Sequence, residues 1–541
     1  MIQRREWLLL GAQSLLLSPL LAGAADVRAQ VLRSASAGLE PVQLTAHERA
    51  LHALNRLGFG PSPADAAAIE QLGPQRWLQQ FLLEQTNPER LSLPSALQAR
   101  LDGFDTLKLS QGELLGRYRE AARVDRVDRL AKSAAGADSS AATNPISASV
   151  EASAPNNRRD WVRPVLLQAG SQRLLRALQS PAQLEERLVD FWFNHFNVFS
   201  GKGPLSVLVG NYEREAIRPH VWGSFRAMLG ATARHPAMLI YLDNAQSVAA
   251  GLRPVGNANG AAPPRLSGLN ENYARELMEL HTLGVGGGYN QLDVTELARM
   301  LTGWTLDERA VQRQSRQPLF SFMPRRHDTG SKQWLGRSVA AAGQAEGEMA
   351  LDVLAAHPAT AQHLAFKLAQ AFVADQPPAG LVQRLAASFL ASRGDLRVLM
   401  QTLIESEEFW SSESVGAKFK TPYQYLLSSL RALQIDPLEL QPLLGTLAQA
   451  GMPLYGAPTP DGYKNVAAAW MNPEALAQRV QWAINLNQRR QRQAADAAQD
   501  SRLLLTTLGP LFSAATRQVV AQEAPAMQSA LLLASPDFMR C

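Results

Sequence analysis

The sequence predicts an all-α protein, a large multi-helix domain or domains with at most minor β-hairpins. Two observations support this fold class: helix-start signals recur along the chain, and runs of alternating β-branched residues are almost absent. Each start signal is a Ser or His followed by Pro and Ala, and leucine- and alanine-rich sequence with apolar residues three or four apart comes after it. Proline suits the first helical position, and the residue before it can cap the helix. The four signals stand at residues 62–64, 180–182, 235–237 and 357–359.

Residues 1–29 have the layout of a removable signal peptide of the twin-arginine type. Arg4 and Arg5 form a positive segment, an apolar stretch follows over residues 7–21, and small residues then provide cleavage sites. The apolar stretch is interrupted and shorter than the roughly 20 residues that a membrane span needs. We therefore expect export by the twin-arginine route to the periplasm or the medium. The general export route and an uncleaved anchor are the alternatives.

The rest of the chain, residues 40–541, is expected to form the helical domain with three interruptions. Residues 132–158 are rich in Ala, Ser, Asn and Pro and contain few large apolar residues, which predicts a disordered insert. Residues 249–268 are rich in Gly, Pro and Asn, and residues 308–334 are rich in Arg and Gln. Both of these segments are predicted to be loops.

The composition excludes several classes of protein. Cys541 is the only cysteine, which excludes a disulfide framework, a cysteine-ligated metal in the body of the fold and covalently attached haem. We expect its thiol to form an adventitious dimer rather than to take part in chemistry. The 53 Lys and Arg residues nearly balance the 48 Asp and Glu residues, so the sequence indicates no nucleic-acid partner. After residue 29, no segment is long and apolar enough to span a membrane.

A series of uncommon strings occurs in a fixed order along the chain. They are LNRLGFGP at 54–61, FWFNHFNVF at 191–199, RHPAML at 234–239 with YLDN at 241–244, NENYARELMELHTLGV at 270–285, LTGWT at 301–305, HDTGSK at 327–332, HP at 357–358, KFKTP at 418–422 and PDGY at 460–463. In these strings the chain resembles a large bacterial family known only as domain of unknown function 1800. The resemblance runs from about residue 45 to the C-terminus, and the insert at 132–158 lies outside the family pattern.

The resemblance implies little about chemistry. Members of the family are commonly exported, often with twin-arginine signals. They are frequently encoded beside members of a second exported family, domain of unknown function 1501, so a protein of that family is the expected partner. No activity comes with the family name.

Residues 270–288 contain the densest set of chemically useful side chains. On an ideal helix Glu276 and Glu279 share one face and His281 falls on the other, and both faces mix apolar with polar residues. We therefore expect this helix to be buried all round. Two buried carboxylates need partners. Arg275, four residues before Glu279, is one candidate partner, and a metal ion or a substrate proton is the other.

His195 lies in a run of aromatic residues, with Phe191 and Phe199 four residues on either side. A histidine in this setting is more often a hydrogen-bonded core residue than a ligand. The neighbouring amides of Asn194 and Asn197 favour the alternative, because they can orient a ligating ring.

His327 and Asp328 form a doublet that acts as adjacent metal ligands in helical phosphohydrolases, where it lies within a helix. Here the turn signal Thr329-Gly330 follows at once, which argues against that interpretation. Lys332 completes no phosphate-binding loop, because the required glycine is missing five residues before Gly330. A solvated basic loop is the favoured reading, and contact with an anionic group is the alternative.

Two hypotheses about function remain. The lack of a complete catalytic motif favours a helical scaffold or binding partner of another exported protein, which predicts a large exposed apolar patch. The alternative is an exported enzyme whose site binds a divalent metal such as Zn, Fe or Mn, or a non-covalent haem held by His195 or His281. In the metal version, four of its residues should converge on one solvent-reachable cavity: His195, Glu276, Glu279 and His281. The full set of candidates is Asn194, His195, Glu276, Glu279, His281, His327 and Asp328.

For two other features the sequence predicts no functional role. Asp461 and Gly462 form a turn signal, and His363 has no distinctive setting.

Overall fold

The computed structural model describes residues 43–138, 157–252, 268–493 and 497–541. Within these ranges most of the chain is helical, and its only strands form two small antiparallel pairs, so the all-α prediction is confirmed. None of the described helices has the length and apolar character needed to cross a membrane. The predicted signal peptide, residues 1–29, lies outside the described residues.

The first half of the described chain is helical throughout. Its helices are α1 Ala46–Leu57, α2 Pro63–Leu72, α3 Pro74–Gln85, α4 Ser95–Asp102, α5 Gln111–Asp138, α6 Asn157–Gln179, α7 Gln183–His195, α8 Leu205–Tyr212, α9 Phe225–Arg234, α10 Pro236–Tyr241, α11 Asn272–Glu279 and α12 Gln291–Met300.

The second half begins with two short hairpins and returns to helices. Its elements are β1 Trp304–Leu306, α13 Glu308–Gln312, β2 Phe320–Phe322, β3 Lys332–Trp334, β4 Arg337–Val339, α14 Gln344–Ala355, α15 Pro358–Phe372, α16 Ala379–Ala391, α17 Leu396–Ile404, α18 Pro422–Ala432, α19 Gln441–Gln449, α20 Pro473–Gln493, α21 Ala497–Leu508, α22 Ala514–Gln522 and α23 Pro525–Ala534.

Three of the four predicted helix starts coincide with observed ones. Ser62 caps α2, and the imidazole Nδ1 atoms of His235 and His357 accept the backbone N–H two residues on, each at 3.1 Å. The fourth helix, α7, begins only after Ala182, so its proline precedes the helix. There the Ser180 hydroxyl accepts the backbone N–H of Ala182 at 3.2 Å instead of capping the first turn.

The loop predicted at residues 308–334 was wrong. This segment contains α13, β2, a short 3₁₀ turn at Pro324–Arg326 and β3. Trp304 pairs with Phe322 across β1 and β2, and Lys332 pairs with Val339 across β3 and β4. Buried Leu319 and Trp334 order the segment despite its many Arg and Gln residues, because apolar burial outweighs the polar average.

The other two predicted interruptions fall partly outside the described residues. Helix α5 continues through residue 138 and α6 begins at residue 157, so both ends of the supposed insert at 132–158 are helical. Residues 139–156 lie outside the described residues. In the predicted loop at 249–268, residues 249–252 contain no helix or strand, and residues 253–267 are not described.

Residues 45–541 form one compact unit with two apolar clusters. The larger cluster contains Trp192, Phe196 and Phe225, and the smaller one surrounds Tyr423 and Phe538, where α18 meets the last helices. Residues 539–541 run beside residues 418–420 and exchange backbone hydrogen bonds with them. Cys541 is a free, buried cysteine there, so its thiol is not exposed for the adventitious dimer that the sequence suggested.

Helix α1 is held by residues from much later in the chain. The ring Nε2 of His52 lies 2.9 Å from the carbonyl oxygen of Phe409, 357 residues away. The guanidinium of Arg56 donates to the carbonyl oxygens of Val373 and Ser414, and the whole Arg56 side chain is only 1% exposed. The first described helix is therefore completed by the C-terminal half of the protein.

Candidate functional site

Helix α11 presents two carboxylates at the surface. It ends at Glu279, and its buried side chains are those of Tyr273, Ala274, Leu277 and Met278. Asn272 is exposed and Glu276 and Glu279 are only half-buried. The prediction of a helix buried all round was therefore wrong, because the helix is amphipathic and its carboxylates lie on the outer side.

The ion pair predicted between Arg275 and Glu279 does not form. Arg275 instead pairs with Glu271 at 3.5 Å and donates to the side-chain oxygen of Gln291 at 2.8 Å. Within the described residues, neither Glu276 nor Glu279 has an ion pair. The Tyr289 side chain hydrogen-bonds to Glu279, so of the two carboxylates it is Glu276 that lacks a structural partner within the described residues.

Burial and the neighbouring charges together raise the pKa of Glu276. Burial is the largest cause that raises the pKa of Glu276, and the like charges of Glu279 and Asp461 add to it, while Arg275 opposes them. The pKa of the Tyr241 hydroxyl is raised by burial first and then by Glu276 and Asp461. Helix α10, helix α11 and the loop of Asp461 thus bring their titratable groups into one electrostatic neighbourhood.

The loop that supplies Asp461 is fixed against the end of α7. The Asn194 side-chain amide donates to the carbonyl oxygen of Tyr463 at 2.8 Å, and its Oδ1 accepts the backbone N–H of Tyr463 at 2.7 Å. Asn197 donates to the carbonyl oxygens of Ala457 and Thr459 at 3.0 and 2.8 Å. Asn194 and Asn197 therefore position this loop, and their amides do not orient the His195 ring.

Gly462 allows this close packing. Its φ is +68°, and a Cβ atom there would lie 2.5 Å from both the backbone oxygen and Oδ1 of Asn194. Only glycine avoids that overlap in this backbone conformation. The residue thus sets the position of its neighbour Asp461.

Lys367 on α15 completes the group. Burial is the main cause that lowers the pKa of its amine to about 8; Lys464 adds to the lowering and Asp461 opposes it. Lys464 itself binds Asp461 at 2.5 Å. Asp461 is thus an electrostatic neighbour of Glu276, Tyr241 and Lys367. We refer to five residues as the Asp461 cluster: Tyr241, Glu276, Glu279, Lys367 and Asp461.

His195 and His281 lie in the core, each 1% exposed. The His195 Nε2 atom is 3.1 Å from the carbonyl oxygen of His281, and the two ring centroids are 6.2 Å apart. The His195 ring also packs edge-on against Phe196 at 4.6 Å. Because α11 ends at Glu279, the chain turns and directs His281 inward, away from the half-exposed carboxylates.

A third histidine joins this pair. The His363 ring lies 6.3 Å from that of His195, and its Nε2 is 3.2 Å from the carbonyl oxygen of Leu280. Burial first, and then the charge of Lys367, lowers the pKa of His281 to about 3 and that of His363 to about 4. These imidazoles are therefore neutral at neutral pH. The His195 Nδ1 and His281 Nε2 atoms are buried without a hydrogen-bond partner.

The candidate metal ligands are not brought together. Among the residues the structure describes, no three His, Cys, Asp or Glu side chains are grouped so as to hold a metal ion. His195 and His281 are core residues and Glu276 and Glu279 lie at the surface, so the convergence that the metal hypothesis requires is not observed.

His327 and Asp328 belong to a separate buried network. The His327 Nε2 lies 3.0 Å from Glu346 Oε1, and its Nδ1 lies 2.9 Å from the carbonyl oxygen of Thr302. Lys332 binds the other Glu346 oxygen at 2.7 Å, and both side chains are fully buried. We refer to Thr302, His327, Asp328, Lys332 and Glu346 as the His327 network.

The other polar atoms of the network, those of Asp328 and Lys332, also have hydrogen-bond partners. Both Asp328 oxygens accept from Arg299 at 3.0 Å, and Lys332 donates to the backbone carbonyl of Asp328. Neither ring nitrogen of His327 is free to bind a metal. The reading of Lys332 as part of a solvated basic loop was wrong, because an internal carboxylate partner allows it to be buried.

Sequence reasoning missed the central members of the Asp461 cluster. Lys367 lies in ordinary helical sequence, and Tyr241 and Asp461 occur in family strings but received no role in a site. Besides those strings, the available signal was the Asp461-Gly462 pair, because its glycine permits a backbone conformation in which the chain can pack closely.

The described residues thus form a helical protein with two clusters of polar side chains. Neither cluster contains three possible metal ligands grouped together. The model of the family described as Protein of unknown function (DUF1800) matches residues 52–540, so the chain belongs to this family. This confirms the resemblance noted in the sequence. No curated protein and no solved structure matches the chain.

Proposed function

We propose that this protein is an exported enzyme that performs acid–base chemistry on a small polar substrate at the Asp461 cluster. The twin-arginine layout of residues 1–29 supports export to the periplasm or the medium. One observation carries the proposal for the site: Glu276 and Lys367 have no ion pair within the described residues, although each is an electrostatic neighbour of Asp461.

The pKa shifts of the cluster suit proton transfer. That of Glu276 is raised, mainly by burial, and that of Lys367 is lowered to about 8, again mainly by burial. Both shifts favour the uncharged form of the group. An uncharged carboxyl can donate a proton, and an uncharged amine can accept one. Pairs of groups shifted in this way are typical of catalytic sites.

A structural role accounts less well for the same residues. Charged groups that stabilise a fold from the inside are usually paired, since an unpaired buried charge is costly. The His327 network follows that rule. In the Asp461 cluster, Asp461 pairs with Lys464, but Glu276 and Lys367 have no ion pair within the described residues. The Glu276 carboxylate and the Lys367 amine are therefore available to a ligand.

The test compares wild-type protein with Glu276→Gln and Lys367→Met after each variant is shown to be folded. Each protein is incubated with the small-molecule fraction of a bacterial culture, and the mixture is analysed by mass spectrometry before and after. We expect wild type to consume at least one component that both variants leave unchanged. Glu474→Gln, the same chemical change at an exposed site on α20, should behave as wild type. Equal consumption by wild type and the two cluster variants would contradict the proposal.

A different observation supports a second candidate function. Val285 and Phe366 are 78% and 38% exposed. Val285 follows Gly284 in the chain, and Phe366 lies three residues after His363 on α15. A Cβ atom added at Gly284 would lie 2.9 Å from His363 Nδ1, so these two segments are close together. Exposed apolar side chains beside polar groups are typical of protein-binding surfaces. The second candidate is therefore a scaffold that binds another exported protein there, with a member of domain of unknown function 1501 as the partner.

Co-purification with a co-expressed protein of that second family tests the scaffold. We expect Val285→Glu to reduce the amount retained, because it places a charge on the proposed contact. Val519→Glu is the control, since Val519 is 57% exposed on α22. Equal retention by both variants would remove the support for this candidate.

A further inference from the structure

We infer that a small cavity beside Arg187 binds the carboxylate group of a small organic acid. The cavity lies where α7, the end of α15, the start of α18 and residues 463–465 meet, and we refer to it as the Arg187 cavity. None of the five residues of the Asp461 cluster lines it, so this site goes beyond the proposed function and does not depend on it.

Arg187 brings a buried positive charge to the cavity without a strong partner. Its side chain is only 6% exposed, and its Nε is buried with no hydrogen-bond partner. Within the described residues its one ion-pair contact is with Asp190 at 3.6 Å, which is longer than a hydrogen bond. Asp190 is bound instead by Arg173 at 2.6 Å. An unpaired buried cation is costly, so a bound anion would offset part of that cost.

Aromatic rings hold the Arg187 guanidinium in place. Its Cζ atom lies 5.3 Å from the ring centroid of Phe59 and 5.6 Å from that of Phe372. Contact with the face of a ring uses the flat surface of the guanidinium and leaves the N–H groups at its edge free. Those coplanar N–H groups match the two oxygens of a carboxylate, which they can bind through two parallel hydrogen bonds.

Gln424 adds a second donor to the same cavity. Its Oε1 accepts the backbone N–H of Thr421 at 3.1 Å, within the capping box at the start of α18. That hydrogen bond identifies the other terminal atom of the side chain as the amide nitrogen. The N–H groups of this nitrogen have no partner within the described residues. Arg187 and Gln424 therefore present donors to one cavity from two different helices.

The size and charge of the cavity favour a carboxylate over a phosphate. Its volume is about 40 Å³. One water needs about 10–15 Å³ of cavity space, so there is room for about three non-hydrogen atoms. A carboxylate group has that size and a single negative charge, whereas a phosphate group is larger and more highly charged. The Asp190 carboxylate also lines the cavity and would repel the phosphate more strongly.

Isothermal titration calorimetry on the purified protein at pH 7 tests this site. Sodium acetate is the probe, because it is little more than a carboxylate group, and inorganic phosphate is the comparison. We expect acetate to bind one-to-one with a millimolar Kd, since so small a ligand makes few contacts. Phosphate should bind about ten-fold more weakly, because of its size and its repulsion from Asp190.

Gln424→Glu is the main variant, because it should leave the fold intact. A glutamate there can still accept the Thr421 N–H in the capping box, but it replaces a donor in the cavity with a negative charge. We expect it to weaken acetate binding by at least about ten-fold. Gln518→Glu, the same change at an exposed site on α22, should bind acetate as wild type does.

Arg187→Lys tests the arginine itself once the variant is shown to be folded. It keeps the charge but cannot form two parallel hydrogen bonds, so acetate binding should also weaken. The absence of acetate binding to wild type, or equal binding by wild type and Gln424→Glu, would overturn the inference. Tighter binding of phosphate than of acetate would overturn it as well, because the site would then select a different class of anion.

Discussion

The His327 network and the Asp461 cluster contain the same kinds of side chain in opposite states of pairing. In the network, Lys332 and Glu346 are fully buried and bound to each other at 2.7 Å, and the His327 ring is held at both nitrogens. In the cluster, Glu276 and Lys367 are half-buried and have no ion pair. The comparison separates charges that hold the fold from charges that are left for another molecule.

The difference follows from where each group lies. The network joins α12, α14 and the segment between the two hairpins, and full burial of its charges is tolerable only because each has a partner. The cluster lies where α10, α11, α15 and the Asp461 loop meet at the surface, so water offsets part of the cost of leaving its charges unpaired. Substitutions in the two groups should therefore have opposite effects on stability.

The largest effect is expected from Glu346→Ala. Removal of this carboxylate leaves one nitrogen of His327 without its partner and takes away the closest carboxylate of the buried Lys332 ammonium, which keeps only its contacts with Asp328. Loss of one partner from a buried pair costs about 3–5 kcal/mol. Urea unfolding followed by circular dichroism measures the change in the free energy of unfolding. A loss below about 1 kcal/mol would show that water reaches this network.

A smaller loss is expected from Gly462→Ala. The new Cβ would overlap Asn194 at 2.5 Å in a backbone with φ +68°. We expect a loss of about 1–3 kcal/mol in the free energy of unfolding, together with displacement of Asp461. Gly416→Ala is the matched control, since Gly416 has φ +66° and open space around its Cβ position. Equal losses in both variants would mean that only backbone strain, and not the contact with Asn194, is involved.

The smallest effect, of opposite sign, is expected from Glu276→Gln. At pH 7 it should stabilise the protein by about 0.2–0.5 kcal/mol, because it removes the cost of burying the carboxylate and the repulsion from Glu279 and Asp461. Folding raises the pKa of Glu276, so its carboxylate form opposes folding above that pKa. The gain should therefore disappear as the pH falls below the ordinary value of 4.5. Unfolding curves between pH 4 and pH 8 check this, and destabilisation at pH 7 would reveal a structural role.

The parts of the fold that were predictable depend on local interactions. Ser62, His235 and His357 cap their helices through atoms two or three residues away, so the sequence pattern is sufficient to place them. The hairpin of β1 and β2 could not be found in this way. Each of its strands has three residues, which is too short to show an alternating pattern. The two strands are also separated by α13, so the sequence does not show which residues pair.

The site was less predictable, because its members meet only through the tertiary fold. The predicted ion pair between Arg275 and Glu279 does not form, because the Arg275 guanidinium binds Glu271 and Gln291 instead. The position of His281 depended on where α11 ends, which its helical pattern did not fix. Lys367 and Asp461 are far apart in sequence, and no local signal joins them.

The attachment of α1 to residues more than 350 positions later has a consequence for the way the chain folds during synthesis. While the ribosome is still making the middle of the protein, His52 and Arg56 have no native partners, because Phe409 and Ser414 do not yet exist. A high contact order of this kind slows folding, since distant segments must meet before they stabilise each other. The nascent chain therefore exposes an unfinished core until translation is nearly complete, and this interval is when it most needs a chaperone.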